Sequence, residues 1–461
     1  MAATTLAPPL GRKTWLDRLL GLAAEVHAGE AVTVLLLSLN GFLILAAYYV
    51  IRPLRSALLL PVRISLPGGG VLTGPEIQSY TGAILAGLFI FIVPAYGAFA
   101  SKVTRIRLIN WVTLFFVSNL VIFSLLGHAG VPPTALGVPF FLWIGVFNLM
   151  VMAQFWSFAN DLYTPEQGKR LFAIVGFGGS VGAVAGSAIL SALIGRVGEF
   201  AEFRMMLVAA AMLLLCVVLA NLVHTRERAR AAETVRQRQL EQPLGREGGF
   251  QLVIRERYLL LIGLLTLAVQ LVNTNGNYIL NETLTQMARS AVAQGAAGGP
   301  TQRQIIGSYM AGTDFWQNLL GAFIQLFLVS RIFKHLGVGG ALFVLPTIAL
   351  GSYGLFAAAP VLALIRLAKI MENATDYSLQ NTVRRALFLP TSREAKYKAL
   401  QAVETFFWRA GDMMHGLATL LIVQVLGLGV RGYAGVNMGL VAVWLVMAAA
   451  LSRENRKLGP A

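Results

Sequence analysis

The chain alternates between long apolar runs and short polar connections along its whole length. Each run has about 20 residues, enough for a helix to cross about 30 Å of hydrocarbon. The runs lack the alternation of apolar and polar positions that is typical of strands in a membrane barrel. The pattern therefore predicts an all-α polytopic membrane protein with twelve spans, expected near residues 31–60, 76–100, 108–127, 138–160, 171–195, 204–223, 258–282, 304–330, 338–358, 361–385, 400–427 and 431–452.

Composition supports this prediction. Of the 461 residues, 56% are hydrophobic and 13% are charged, a balance that ordinary soluble globular proteins do not show. The first apolar run is much longer than the apolar core of a cleavable signal peptide, so we expect it to remain in the mature protein.

The basic residues indicate the orientation of the spans. Lys and Arg accumulate on the cytoplasmic side of membrane helices. Most of the 37 Lys and Arg residues fall before the first span, after the last one, and in every second connection, which predicts that both termini are cytoplasmic. These topology signals account for most of the net charge of +16 without a nucleic-acid partner. The opposite connections hold only Arg63, Arg196, Arg204, Arg289, Arg303 and Arg431.

A long polar segment separates the sixth and seventh predicted spans. It is rich in Arg, Glu and Ala, which favours a surface helix or a solvated linker near anionic headgroups. The predicted organisation has five parts: an N-terminal cytoplasmic segment at 1–30, a six-helix bundle at 31–223, a basic cytoplasmic linker at 224–257, a second six-helix bundle at 258–452 and a cytoplasmic tail at 453–461.

Related motifs recur in the two bundles at a nearly constant offset. The fourth span ends in TPEQGKR and the tenth in TSREAKYK, and SKVTRIR after the second span has a counterpart in SRIFKH after the eighth. Parallel repeats of this kind are common in secondary transporters. The sequence thus predicts a pseudo-symmetric 6+6 arrangement.

The stretch AAYYVIRPLRSALLL places Arg52 and Arg55 inside the first apolar run. A charge at the bilayer centre costs roughly 2.5–3.5 kcal/mol on the translocon scale, so these arginines need a function. They lie on one helical face, and Pro53 leaves a backbone carbonyl free between them. Because a guanidinium matches phosphate or carboxylate oxygens in pairs, we predict that both bind an anionic substrate. The alternative is that the helix ends early and both side chains reach the outer headgroups.

Further charges lie within the spans of the second half. Lys369 and Arg409 are candidate substrate ligands, and opposed charges on the same helical faces suggest gates or structural pairs. Glu282 corresponds to Arg55 by the repeat offset and suggests an outer gate, although a position in an outer loop remains open. The candidate coupling or gating residues are Glu282, Asp314, Glu372, Asp376, Glu404 and Asp412.

Uncharged polar residues complete the candidate lining. Asn277 lies in N-T-N-G-N-Y on the seventh span, and Gln154, Trp156 and Asn160 lie on the fourth. Such side chains can bind a base by hydrogen bonds and stacking, whereas interfacial anchoring is the alternative for those on the fourth span.

No pattern for catalysis or for a cofactor is present in the sequence. Cys216 is the only cysteine, the histidines show no paired ligand spacing, and there is no G-x-x-x-x-G-K-[ST] loop. Gly178, Gly182 and Gly186 have G-x-x-x-G spacing, which predicts close packing of helices. We therefore expect neither an enzyme nor a bound metal or cofactor.

Several motifs resemble known transporters. Twelve spans in a 6+6 plan look like the major facilitator superfamily, and Gly97 to Arg107 resembles its loop signature. FWSFANDLYTPEQGKRLFAIVGFGGSVGAVAGSAI at 155–189 and YSLQNTVRRALFLPTSREAKYKALQAVETFFWRAGD at 377–412 resemble stretches of the ATP/ADP translocase family of plastids and intracellular bacteria, as R-P-L-R-S-A-L resembles its first helix. The resemblance implies a carrier of phosphorylated nucleotides, of the exchange type, whose positive groups bind the phosphates.

The expected function is therefore alternating-access transport of an anionic, nucleotide-like metabolite, with ATP and ADP as candidate substrates. Asp412 stands where the resemblance leads us to expect a Lys, and Asp376 where some members of the family are basic, which leaves open proton-coupled transport of a non-nucleotide solute. A non-transporting membrane receptor or assembly factor is a further alternative. The expected location is the bacterial inner membrane, where the chain would act among lipids as a multi-pass monomer.

Overall fold

We describe the protein from a computed structural model. The described residues are 15–20, 26–67, 70–100, 102–163, 165–196, 198, 200–231, 249–295, 299–392, 395 and 399–458. Residues 232–248 of the predicted linker, most of the predicted N-terminal segment and residues 459–461 of the predicted tail lie outside these ranges, as do residues 101, 164, 393, 394 and 396–398 of the repeated motifs.

The described chain is almost entirely helical. The helices of its first half are α1 Trp15–Leu20, α2 Ala31–Leu59, α3 Gly74–Ala100, α4 Arg105–His128, α5 Pro133–Leu162, α6 Pro165–Leu193 and α7 Ala201–Ala231. A short antiparallel hairpin, β1 Arg63–Ser65 with β2 Val71–Thr73, connects α2 to α3.

The second half begins with a short helix that lies in the predicted linker. Its helices are α8 Gly249–Arg255, α9 Arg257–Gln294, α10 Gln302–Phe323, α11 Val329–Ala341, α12 Val344–Ala358, α13 Leu362–Thr375, α14 Asn381–Ala386, α15 Leu400–Ala402, α16 Trp408–Thr419 and α17 Val430–Lys457. Among the described residues, π-helical segments interrupt this half at Ile324–Leu328, Asp376–Gln380, Val403–Phe407 and Leu420–Val425.

Within the described residues, nine helices are long and apolar enough to cross a membrane, and each coincides with a predicted span. The predicted spans at 338–358, 361–385 and 400–427 are also helical, but their helices are shorter or interrupted. The helix α9 continues to Gln294, beyond residue 282 where the seventh span was predicted to end. Glu282 therefore lies within a helix and not in an outer loop.

Each half has its own apolar core. Leu37, Phe147 and Leu213 belong to the core of the first half, and Tyr353 and Trp444 belong to that of the second. Large apolar side chains also remain exposed around the bundle, as expected for helices that face lipid.

The predicted glycine contact is confirmed. A Cβ on Gly178 would stand 2.2 Å from the Ser38 Oγ, one on Gly182 would stand 2.2 Å from the Phe42 carbonyl oxygen, and one on Gly186 would stand 2.3 Å from the Ala46 carbonyl oxygen. The glycines therefore let the backbones of α6 and α2 approach closely, which positions α2 in the first half.

The halves meet where α2, α3 and α6 pack against α9, α10 and α16. Several of these contacts lie at the end of the bundle that carries the hairpin. There Arg303 pairs with the buried Glu202 at 3.4 Å, and Gln304 donates to the Gly198 carbonyl oxygen at 3.0 Å. Gln424 also donates to Glu76 across the interface.

Candidate functional site

A polar cavity of about 380 Å³ lies between the two halves. Residues of α2, α3 and α5 form one wall, and residues of α9, α10, α13 and α16 form much of the other. The cavity brings together six of the residues predicted from sequence, namely Arg52, Arg55, Asn277, Asp314, Arg409 and Asp412.

Arg52 joins the halves through an ion pair. Its Nη1 lies 3.2 Å from the Asp314 Oδ1, and the side chains are 17% and 6% exposed. The Arg52 guanidinium also lies 5.4 Å from the centre of the Tyr49 ring. Because Asp314 belongs to α10 and Arg52 to α2, the pair holds the two bundles together at the wall of the cavity.

Arg55 lies one helical turn beyond Arg52 but has a different environment. Its guanidinium lies 4.9 Å from the centre of the Phe141 ring, and its buried Nε has no hydrogen-bond acceptor among the described residues. No carboxylate lies within ion-pairing distance of Arg55 in this part of the chain. The structure continues α2 to Leu59, so Arg52 and Arg55 both lie within the helix, and both line the cavity.

Arg409 and Asp412 form a third charged group on α16. The Arg409 Nη1 lies 3.2 Å from the Asp412 Oδ2, and the Gln270 Nε2 donates to the Asp412 Oδ1 at 2.7 Å. On its other side, the Arg409 guanidinium lies 4.4 Å from the centre of the Phe89 ring of the first half. Arg409 therefore touches both halves at the cavity.

Lys369 lies outside the cavity lining. It is fully buried, with its Nζ 2.8 Å from the Glu372 Oε2 and 2.8 Å from the Asn273 Oδ1. The Tyr353 hydroxyl donates to the same carboxylate oxygen at 3.2 Å. The pair therefore belongs to the interior of the second half, and direct contact of Lys369 with a substrate stays a prediction.

The other predicted residues are dispersed. Asp376 is buried in the second half beside Glu372, and Glu404 is exposed. Glu282 accepts a hydrogen bond from Gln286 on its own helix at 2.7 Å. None of these three carboxylates lines the central cavity.

The predicted residues of the fourth span lie apart from the central cavity as well. Gln154 is buried in the first half beside Asn40 and Cys216. Trp156 and Asn160 are exposed on α5, and the Trp156 ring packs against Phe172 at 5.9 Å. Their roles as substrate ligands stay predictions.

Several residues that line the cavity were not predicted from the sequence. They are polar or aromatic side chains within spans, namely Tyr48, Gln78, Ser79, Asn148, Gln270, Gln317, Asn373, Tyr377 and Trp408. His415 also lines the cavity, where its Nδ1 lies 2.7 Å from the Asn275 Oδ1 and its Nε2 lies 2.9 Å from the Ser79 Oγ. The signal that could have found them is an uncharged polar side chain inside an apolar run.

The chemistry of this cavity is that of binding. It presents three guanidinium groups, two carboxylates and many amides to one space, so it can hold an anion that also carries hydrogen-bonding groups. Among the described residues, no group of three or more His, Cys, Asp or Glu side chains is arranged to hold a metal ion.

Comparison with known sequences confirms the resemblance noted above. Residues 141–275 match the model of the TLC ATP/ADP transporter family. The ADP,ATP carrier protein 1 of Chlamydia pneumoniae is 22% identical, in a match covering 93% of this chain and 92% of that protein. The protein of the same name from Chlamydia trachomatis serovar D is also 22% identical, and this match covers 66% of this chain but only 62% of the relative.

Solved structures show the same fold. The nucleoside transporter NupG superposes with a TM-score of 0.59 at 13% identity, covering 91% of this chain and 97% of that one. The POT family transporter PepTSo superposes with a TM-score of 0.61 at 12% identity, covering 91% and 98%. The chain therefore has a fold of the major facilitator type.

Proposed function

We propose that this chain, which resembles the ATP/ADP transporter family, is a secondary carrier that exchanges ATP and ADP across a membrane by alternating access. The proposal combines this resemblance with the cavity between two separately packed halves. A site at the interface of two repeats can face either side as the halves rock against each other.

The observation that carries the proposal is the unshared guanidinium of Arg55. Arg52 and Arg409 each have a carboxylate partner at 3.2 Å, whereas Arg55 has none among the described residues. The cavity therefore has an excess of positive charge beside an unsatisfied guanidinium nitrogen. A phosphate group supplies the oxygens that such a fork binds, so we assign the phosphates to the Arg55 side.

Amides in the cavity suit the rest of a nucleotide. Buried polar atoms without a partner in the described chain include the Gln78 Oε1, Asn281 Oδ1, Gln317 Nε2 and Asn373 Oδ1, all on residues that line the cavity. Buried polar groups normally have hydrogen-bond partners, and these side chains line the cavity, so rotation towards it would let them bind a substrate. Asn and Gln side chains can bind an adenine edge through a paired donor and acceptor.

Aromatic faces are available beside these amides. Tyr48, Tyr377 and Trp408 line the same cavity. Their flat apolar faces can pack against a base, while the guanidinium groups bind the charged end of the molecule. The cavity thus offers separate positions for a base and for phosphates.

The proposed topology has twelve spans with both termini in the cytoplasm of a bacterium, and the chain acts as a monomer in the inner membrane. The three spans beyond the nine long helices would be formed by the segments around α12, α13 and α16. In this orientation the hairpin lies outside, and the ion pair of Glu202 with Arg303 closes the outer end.

The test is uptake of labelled ATP by proteoliposomes that contain the purified chain. We expect uptake when the vesicles are preloaded with ADP and little uptake when they are empty. The R52A/R55A double variant, reconstituted at equal amount, should lose the uptake. Equal uptake by empty vesicles would contradict exchange, and absence of uptake under both conditions would contradict nucleotide transport.

A further inference from the structure

A second, much smaller pocket lies inside the second half. It has a volume of about 10 Å³, and Val269, Leu345, Ala349, Glu372, Asp376 and Trp444 form most of its wall. Asn273 is the one lining residue that the small pocket shares with the central cavity in the described chain, so the small pocket lies directly behind the cavity wall.

Asp376 is the unusual group in this pocket. It is 3% exposed, and neither of its carboxylate oxygens has a hydrogen-bond partner in the described part of the chain. No basic side chain of that part lies within ion-pairing distance of it. Asp376 also begins the π-helical segment Asp376–Gln380, a local irregularity that often marks a functional position.

Two basic groups face Asp376, and neither donates a hydrogen bond to it, although the buried Arg384 Nε has no partner among the described residues. The Lys369 Nζ is bound to Glu372 at 2.8 Å and to Asn273 at 2.8 Å. Arg384 donates to the Asn381 Oδ1 at 3.2 Å, and its guanidinium lies 4.6 Å from the centre of the Trp408 ring. Neither group gives Asp376 the direct hydrogen bonds that a buried carboxylate requires.

Other packed elements add no counter-charge. The segment Ile324–Leu328 has no titratable residue, and α10 contributes Asp314, which is paired with Arg52. The basic side chains of α11 are exposed, namely Arg331, Lys334 and His335. The remaining charged group facing Asp376 is Glu372, an acid whose Oε1 also lacks a partner in the described chain.

A carboxylate so placed is costly unless it becomes neutral, because desolvation of an unpaired charge greatly exceeds the cost of protonation. We propose that Asp376 is a proton-binding site in the second half, occupied in this conformation, and that exchange requires Asp376 to be neutral. The pocket is at the lower limit of about 10–15 Å³ that one water needs, so it fits a bound proton and not a hydrated metal cation. The transport part of this proposal rests on the proposed exchange function.

The direct test is infrared difference spectroscopy of the purified protein, stepped from neutral to alkaline pH. Wild type should show loss of the carbonyl-stretch band of a protonated carboxylic acid, and D376N should lack this change. E256Q, which alters an exposed acid between α8 and α9, should keep it. A spectrum of D376N identical to that of wild type would overturn the proposal.

The amide of D376N copies the shape of the neutral acid, so we expect this variant to fold as well as wild type. Failure of D376N to fold would also contradict a neutral Asp376. A further experiment replaces choline by sodium. This replacement should not shift the pH at which the carbonyl-stretch band is lost. A shift with sodium would assign the pocket to a metal cation and overturn the proposal.

The transport arm uses the pH dependence of ATP/ADP exchange. Wild-type exchange should fall as pH rises and Asp376 loses its proton, whereas D376N should keep its exchange across the same range. An equal fall in both proteins would overturn the link between Asp376 and exchange. Because the infrared change needs no transported substrate, loss of the nucleotide proposal would leave the test of the proton site intact.

Discussion

Arg52 and Asp314 form an ion pair of 3.2 Å that connects the two halves of the protein. They are far apart in the sequence, and each lies in an apolar span. The pair stands at the cavity wall, beside the end where Ala57 packs against Gly307. Opening of this end must separate the two charges, so the pair should favour the closed state.

We therefore expect D314A to open the hairpin end of the interface. Removal of one partner of a buried pair typically costs about 3–5 kcal/mol, and each 1.4 kcal/mol corresponds to about tenfold in an equilibrium. The measurement is the rate at which an impermeant maleimide modifies a cysteine introduced by A57C. Cys216 is buried, so the background labelling should be low. We expect labelling about tenfold faster or more.

Two variants control this measurement. The charge swap R52D/D314R should return labelling towards the wild-type rate. E282Q removes an acid whose hydrogen-bond partner Gln286 lies on the same helix, so it should leave the rate unchanged. Labelling of D314A at the wild-type rate would show that the pair does not hold the interface closed, and acceleration by E282Q would support the gate predicted from the repeat.

R55A should weaken nucleotide exchange more than R55K does. Hydrogen bonds to a charged group are worth about 1.5–3 kcal/mol, so we expect R55A to raise the KM for ATP by about ten- to a hundredfold. Lysine keeps the charge but loses the planar fork, and its effect should be intermediate. The matched control is R63A, because Arg63 is exposed on β1. Equal KM values for R55A and R63A would remove Arg55 from the substrate site.

Lys369 and Glu372 should behave as a structural pair. K369M leaves the nearly buried Glu372 without its cation, so we expect a loss of about 3–5 kcal/mol in folding free energy. The double variant K369M/E372M should recover most of the thermal stability measured in detergent. It should also retain ATP exchange, because neither residue lines the central cavity. A stable double variant without exchange would support the prediction that Lys369 binds substrate.

G182A should destabilise the first half. The added Cβ would stand 2.2 Å from the Phe42 carbonyl oxygen, so the backbones of α6 and α2 must separate. Overpacking of this kind costs about 1–3 kcal/mol. G176A is the control on the same helix, since no atom lies within 4 Å of its added Cβ. It should be neutral or slightly stabilising, and a similar fall in Tm for both variants would contradict the close helix contact.

The pairing of Glu30 with Arg170 should make stability depend on pH. Partial burial acts to raise the pKa of Glu30, but hydrogen bonds from Arg170 and from the His27 backbone, with the positive charge of Arg170, lower it below the ordinary value of 4.5. A lowered folded-state pKa means that ionised Glu30 stabilises the fold above its ordinary pKa. This contribution is lost as pH falls through the lowered value.

The measurement for Glu30 is the difference in Tm between wild type and E30Q as a function of pH. We expect the difference to be largest near neutral pH and to shrink on acidification below 4.5. E256Q, at an exposed position, should show no such change. A difference that grows on acidification would contradict the assigned direction of the pKa shift.

Local sequence was sufficient to predict most of the helices. A backbone in hydrocarbon must form its own hydrogen bonds, so a long apolar run specifies a spanning helix almost without regard to its neighbours. The same reasoning identified Arg52, Arg55 and Arg409, because charges inside such runs are costly and therefore conspicuous. The sequence contains no equally clear signal that α9 continues as helix beyond residue 282, because its last turns contain many polar residues.

Tertiary structure alone decided which of these groups meet. Helical periodicity assigns residues to a face, but the rotation and neighbours of that face depend on packing between distant helices. Lys369 thus lies in the core of the second half, where it pairs with Glu372. Arg52 pairs with Asp314 of the other half, whereas Glu282, the repeat counterpart of Arg55, bonds to Gln286 on its own helix. The amides and His415 gave little signal, because an uncharged polar side chain can be buried anywhere it finds a partner. The sequence by itself determined the membrane helices and most of the charges within them, and the packing of the two halves decided which charges form the cavity.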